Sequence, residues 1–188
     1  MTKANTAKVE DTIRKPEDRV IPICFGDINP KQPGLCLNIG SGDQKIPGYI
    51  NIDPYNPNSD APWFAHQLPL RDCSVAMIKS YQTIEHFDHE QFPEILREWF
   101  RVLKPGGELH MNTPDIIASC KLVAEHANQP WMLARIFGNQ SHGGQFHRWG
   151  YTAQELSMLS GMAGFANVLA AQYKEIDETM WIYIKATR

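Results

Sequence analysis

The feature that most constrains this chain is a five-residue run, Leu35-Cys36-Leu37-Asn38-Ile39, that stops at Gly40-Ser41-Gly42. A short run that is nearly all apolar, rather than alternating, reads as a strand buried on both faces, and such strands belong to parallel sheets. Tyr49-Ile50-Asn51-Ile52-Asp53 is a second strand, stopped by Pro54, and Val75 to Ser80 is a third. Between 89 and 103, Phe92, Ile95, Leu96, Trp99, Phe100 and Leu103 fall on one helical face. Asp88 is placed to cap that helix, with Gln91 three residues on, and Phe87 and Phe92 are placed as a hydrophobic staple.

Pro105-Gly106-Gly107 ends the helix and turns the chain into a strand over 108–112. Thr113-Pro114 predicts a cap and first helical position, with Ile116, Cys120, Val123 and Ala127 as the apolar face. A short helix over 130–137 is closed by Gly138, and its Trp131, Met132 and Phe137 read as core. Tyr151-Thr152 with Glu155 and Leu156 opens a further helix to Ala163, with Gly164 past its end. Strands at about 165–173 and 179–186 finish the chain. The Lys174–Glu178 link is too short for a parallel crossover, which needs about a dozen residues, so the last strand runs antiparallel to its neighbour. The expectation is an α/β chain: a mostly parallel sheet, helices on both faces, and an antiparallel final strand.

At 188 residues there is room for about one domain of ordinary size. Residues 1–33 are charge-rich and then proline-rich, and read as an N-terminal arm and lead-in; residues 34–188 form the domain. Lys+Arg 18 against Asp+Glu 21 leaves a net charge of −3, which excludes a generally basic surface, so no nucleic-acid partner is expected. No apolar run approaches the ~18 residues of a membrane span, and the first residues lack a signal-peptide core. The four cysteines are scattered without a CxxC pair; three lie in apolar stretches and read as buried hydrophobes. A reducing, cytoplasmic setting is expected. Oligomeric state is not readable from the sequence.

In an open parallel sheet, ligands bind outside the carboxyl ends of the strands. Three such ends stand out. Gly40-Ser41-Gly42 lets backbone approach a ligand closely. Asp53 closes the next strand, where a carboxylate can accept the hydroxyls of a ribose. Ser80 to His86 leads from a strand into the capped helix; Glu85 there reads equally well as a solvated residue on the approach to that helix. A dinucleotide site fails on spacing: Lys45 stands where the third glycine of GxGxxG belongs, and Asp53 follows Gly42 by eleven residues instead of ~20. No GK[ST] follows the glycines, so a P-loop is excluded.

The stretches LCLNIGSGD, PGYINIDPY, LPLRDCSVAMI, TIEHF and FRVLKPGGELHMNTPD, in this order, resemble class I S-adenosylmethionine-dependent methyltransferases. The likeness is strongest to a small prokaryotic branch with a shortened glycine loop; HRWGYTAQEL with AGF is similar to that branch too. The resemblance implies a Rossmann-like fold, S-adenosyl-L-methionine as cofactor, and transfer of its methyl group. It implies that Gly40, Ser41 and Gly42 pass under the methionine moiety and that Asp53 holds the ribose. It further places Gln67 and Leu68 beside the adenine and Tyr81 and Gln82 at the sulfonium side. His66-Gln67 departs from the acidic residue the family often carries there.

Methyl transfer from a sulfonium needs mainly proximity and orientation; a general base matters when the acceptor must lose a proton. His86 and His147 are the candidates for that catalytic part. His142 and Arg148, in the glycine-rich loop 139–150, are candidates for holding a substrate. No cysteine or carboxylate joins these histidines at ligand spacing in the sequence, so no metal site is expected. With no large lid or recognition domain, a small-molecule, sugar or lipid-linked glycan acceptor fits best. Two alternatives stay open: a module that binds the cofactor or its demethylated product without transferring methyl, and another nucleotide-linked transferase on the same fold, such as one moving an aminopropyl group.

Overall fold

The computed structural model describes residues 34–126, 130–174 and 179–188. The arm and lead-in (1–33), Cys24 within it, Ala127, the side chain of Trp131 and positions 175–178 of the last link lie outside the described residues. Strands β1 (Leu35–Ile39), β2 (Ile50–Ile52), β3 (Val75–Tyr81) and β4 (Leu103–Pro114) pair in parallel. Strand β6 (Met180–Thr187) lies antiparallel between β4 and β5 (Ala166–Lys174), so the sheet order is β2-β1-β3-β4-β6-β5. The parallel sheet with an antiparallel final strand is as the sequence predicts. After β2 the chain returns past β1 to lay down β3 on its other side. The order therefore reverses at β1 and β3, which opens a crevice between their carboxyl ends.

The core is one apolar cluster. Leu37, Ile39, Ile78, Leu109, Met111, Ile182 and Ile184 of the sheet join Phe92, Ile95, Leu96 and Trp99 of α1 (Phe92–Val102) and Leu156 and Leu159 of α4 (Ala153–Met162). Among the described residues, no helix is long and apolar enough to cross a membrane.

Several element ends differ from the sequence reading. Helix α1 begins at Phe92, with Pro93 in its first turn, not at 89. The Asp88 carboxylate is not its cap, because Arg148 takes it at 3.0 Å; the Asp88 carbonyl instead accepts from the N–H groups of Gln91 and Phe92. The staple does form, with the Phe87 and Phe92 rings stacked 6.4 Å apart. Pro105-Gly106-Gly107 stays inside β4, where Gly106 N–H donates to the Arg188 carbonyl and Arg188 N–H to that of Gly107. Thr113 and Pro114 also belong to β4, Pro114 standing opposite Trp181. The cap of α2 (Ile116–Glu125) is Asp115, whose carboxylate accepts from Ile117 and Ala118 N–H. Cys120 is exposed on that helix, as is Cys73 on its loop; among the described residues, only Cys36 of the cysteines is partly buried. In α3 (Pro130–Phe137), Met132 is buried but Phe137 is 53% exposed and is not core. Thr152 caps α4 as predicted, accepting from Glu155 N–H at 3.2 Å.

Candidate active site

The turn after β1 has too few residues for a full helix, so its main-chain groups find side-chain partners instead. Asn38 donates to the Asn51 side-chain oxygen and to the Gln44 carbonyl, both at 2.9 Å. The same Asn51 oxygen accepts from Ile46 N–H at 2.8 Å, and the Asn51 amide donates to Asp60 at 2.7 Å. Burial pushes the Asp60 carboxyl up, but hydrogen bonds from Lys45 and Asn51 outweigh it and hold it below the ordinary value. Asp53 closes the frame: its Oδ2 accepts from Gly42 N–H at 2.8 Å, and its Oδ1 accepts from Tyr55 and Asn56 N–H. The glycine turn and the carboxylate are thus one rigid unit at the adjacent ends of β1 and β2.

The end of β3 supplies the second wall. Gln82 has φ +51, and its N–H donates to the Asn112 side-chain oxygen at 2.8 Å. Asn112 in turn donates to the Tyr173 hydroxyl at 2.9 Å. Burial and neighbouring tyrosines push the Tyr81 phenol up to about 12, so it stays neutral near pH 7.

A short 3-10 turn, Ile84–His86, and the loop 139–150 supply the third wall. The Glu85 carbonyl accepts from Arg148 N–H at 2.7 Å and from Trp149 N–H at 3.3 Å, which pins the loop to the turn. The Glu85 side chain is 3% exposed and accepts from the Thr113 hydroxyl at 3.1 Å. It is not solvated. Burial raises its carboxyl to about 7. The His86 and His147 rings meet edge to face, centroids 4.9 Å apart. His86 Nδ1 is 3.0 Å from the Phe146 carbonyl. Burial lowers both imidazoles; for His147, with His86 beside it, the value falls to about 4.

These walls enclose a cleft of about 1100 Å³. The structure brings Gly40, Ser41, Gly42, Asp53, Tyr81, Gln82, His86, His147 and Arg148 to its lining. It does not bring Gln67, which is exposed outside the wall, or Leu68, which is in the core with its N–H on Glu98 Oε1 at 2.8 Å. The lining there is Trp63-Phe64-Ala65-His66 instead, held to the core by Trp99 Nε1–H donating to the Ala65 carbonyl at 3.0 Å. His142 is exposed beside Tyr55, and its neighbours Gly143 and Gly144 face the cleft in its place.

A family profile described as a methyltransferase domain matches residues 63–111. A probable S-adenosylmethionine-dependent methyltransferase of Mycolicibacterium smegmatis is 30% identical over 118 residues, which is 62% of this chain and 35% of that protein. The chain thus spans about a third of the length of that curated relative. A SAM-dependent methyltransferase from Thermotoga maritima superposes with a TM-score of 0.58 at 19% identity, over 82% of this chain and 81% of that one. The Burkholderia thailandensis 1,6-didemethyltoxoflavin-N1-methyltransferase, solved with its substrate and S-adenosylhomocysteine, gives 0.58 at 13% identity over 83% and 71%. The chain has the fold of these S-adenosylmethionine-dependent methyltransferases, and its residues 63–111 match a methyltransferase domain.

Sequence reasoning missed three contributors to the cleft. Asn112 lies within the FRVLKPGGELHMNTPD stretch, but that stretch assigns it no role, and the 63–66 segment carries no motif of its own. Glu85 was visible as a sequence neighbour of His86, but only its burial shows that it faces His147 and not water.

Proposed function

We propose that this chain transfers the methyl group of S-adenosyl-L-methionine to a small-molecule, sugar or lipid-linked acceptor by in-line displacement. The observation that carries this reading is the Gly42–Asp53 unit at the switch point. A glycine turn open on one side and a carboxylate with acceptor capacity left over fit an amino-acid moiety joined to a ribose. In this reading Gly40, Ser41 and Gly42 lie along the methionine part and Asp53 accepts from the ribose hydroxyls. The adenine stacks on the Trp63–His66 segment, and Tyr81 and Gln82 flank the sulfonium. His86, His147 and Arg148 stand at the acceptor end. Arg148 spends one donor on Asp88 and keeps others for an acidic group. The exposed ring of Tyr55 on the lining, beside loop 139–150, suits a flat or ring-shaped acceptor. The cofactor assignment agrees with the S-adenosylhomocysteine named for the Burkholderia enzyme.

The test is thermal unfolding with S-adenosylmethionine, S-adenosylhomocysteine and NAD in parallel. Ligand at 100 times its Kd adds about 2.7 kcal/mol, a shift of several degrees at roughly 2–4 °C per kcal/mol. A shift with the two methionine nucleosides and not NAD is expected, followed by labelled-methyl turnover in an acceptor screen. No shift in folded protein overturns the cofactor assignment. A shift without turnover on any acceptor class favours the binding module.

A further inference from the structure

We infer that Glu85, His86 and His147 form a binding site for a first-row divalent cation, Zn²⁺ foremost, in the wall of the cleft. The ligand-capable atoms of the three side chains all lie within 4.8 Å of one another. Around an ion with bonds of about 2.0–2.1 Å, donors at tetrahedral angles stand ~3.3 Å apart. Small side-chain rotations close that gap. Two imidazoles and one carboxylate, with room for a further ligand, are the donor set of an open zinc site. Imidazole nitrogen suits Zn²⁺ better than Mg²⁺ or Ca²⁺, which prefer oxygen.

Three further observations point the same way. The Glu85 carboxylate is buried, and no cationic side chain among the described residues forms an ion pair with it; its side-chain partner is the neutral Thr113 hydroxyl. Buried carboxylates are ordinarily paired or bound to metal. The His86 imidazole is oriented by main chain, its Nδ1 standing 3.0 Å from the Phe146 carbonyl. Ligating histidines characteristically donate their second ring N–H in this way, which fixes the tautomer. Finally, all three residues line the large cleft, which gives the site an entry path.

Resting on the transferase reading above, the site specifies a hydroxyl acceptor. The cation would bind the acceptor oxygen and lower its pKa. The hydroxyl proton leaves to solvent, and an oxygen lone pair forms the new O–CH₃ bond. The C–S bonding pair stays on sulfur, which becomes a neutral thioether, and the cation keeps its oxidation state. The imidazoles then act as ligands and not as bases.

The test uses the full chain without an added histidine tag, stripped with chelator. Zn²⁺ is titrated against a chromophoric competitor, Co²⁺ is followed by its visible d–d bands, and Mg²⁺ is the control. One equivalent of Zn²⁺ and d–d bands of a low-coordinate site are expected, with no competition from Mg²⁺. Glu85→Gln, His86→Ala and His147→Ala should each weaken Zn²⁺ binding at least about tenfold. Cooperative thermal unfolding of each metal-free variant checks its fold, and Glu85→Gln keeps the volume and the Thr113 contact. Absence of stoichiometric Zn²⁺ uptake by folded wild-type chain, or uptake unchanged in the folded variants, overturns the site. The S-adenosylhomocysteine shift is read on the same samples. Its absence beside one equivalent of bound Zn²⁺ would overturn the transferase reading and support the metal site alone.

Discussion

Gly40 and Thr83 meet where the strand order reverses, so closely that a Cβ on Gly40 would lie 2.2 Å from Thr83 Cγ2 and 2.3 Å from its hydroxyl oxygen. The glycine is at the end of β1 and the threonine just past the end of β3. Their contact draws the two walls of the cleft together. Gly40 also has φ +71, a conformation that costs a side-chain-bearing residue about 1–2 kcal/mol.

Gly40→Ala should therefore lower the melting temperature by at least ~4 °C, at about 2–4 °C per kcal/mol for a chain of this size. It should also weaken S-adenosylhomocysteine binding in calorimetry. Adding Thr83→Ala should restore part of both losses, because it removes the two nearest clashing atoms and leaves Thr83 Cβ and the backbone angle unchanged. Strictly additive effects would show that the two residues do not share a constraint.

Asp53→Ala removes the acceptor of Gly42 N–H together with the proposed ribose contact. A charged hydrogen bond contributes about 1.5–3 kcal/mol, so the calorimetric Kd for S-adenosylhomocysteine should rise more than tenfold. Unchanged affinity in a folded variant would remove Asp53 from the cofactor site.

Trp99→Phe keeps the aromatic core contact but leaves the Ala65 carbonyl without its partner at 3.0 Å. An unsatisfied buried carbonyl costs about 1–3 kcal/mol. Chemical denaturation should show that loss. Nucleoside affinity should fall as well, since Ala65 belongs to the 63–66 wall. A stability loss with unaltered affinity would separate this wall from the adenine.

Glu98 anchors the same region through Arg101, at 2.7 Å, and Leu68 N–H. Burial pushes its carboxyl up, but the hydrogen bonds from Arg101 and Leu68 prevail and hold it below the ordinary 4.5. A folded-state pKa below the unfolded one gives stability that is present above about pH 4.5 and lost as the pH falls through the depressed value. Urea unfolding should show Glu98→Gln less stable than wild type at pH 7. That gap should narrow as the pH drops below 4. A gap independent of pH would assign the effect to packing.

His147→Ala should leave S-adenosylhomocysteine binding intact while impairing transfer, because its ring faces His86 at the proposed acceptor end. Loss of nucleoside binding, measured calorimetrically, would move loop 139–150 into the cofactor site.

Much of this was legible in local sequence. Continuous apolar runs predicted the parallel strands. The 3.6-residue period of Phe92, Ile95, Leu96 and Trp99 predicted α1, and the Thr152 cap and the short final link predicted α4 and an antiparallel β6. These signals are local because hydrogen bonding and burial along one element depend on that element's own pattern. The caps moved where a distant residue competed: Arg148 took the Asp88 carboxylate, and pairing with Trp181 kept Thr113-Pro114 in the sheet.

The sequence by itself therefore determined which elements form, though not all their ends, and it determined the glycine turn and Asp53, which lie within the single stretch β1–β2. Only the tertiary structure decided that the wall is Trp63–His66 and not Gln67-Leu68, that Phe137 is exposed, and that Glu85 stands with His86 and His147. Glu85 and His147 are 62 positions apart in the chain and meet because main-chain N–H groups of Arg148 and Trp149 bond the Glu85 carbonyl. Spacing in sequence carries no information about such a contact; sheet order and loop closure do.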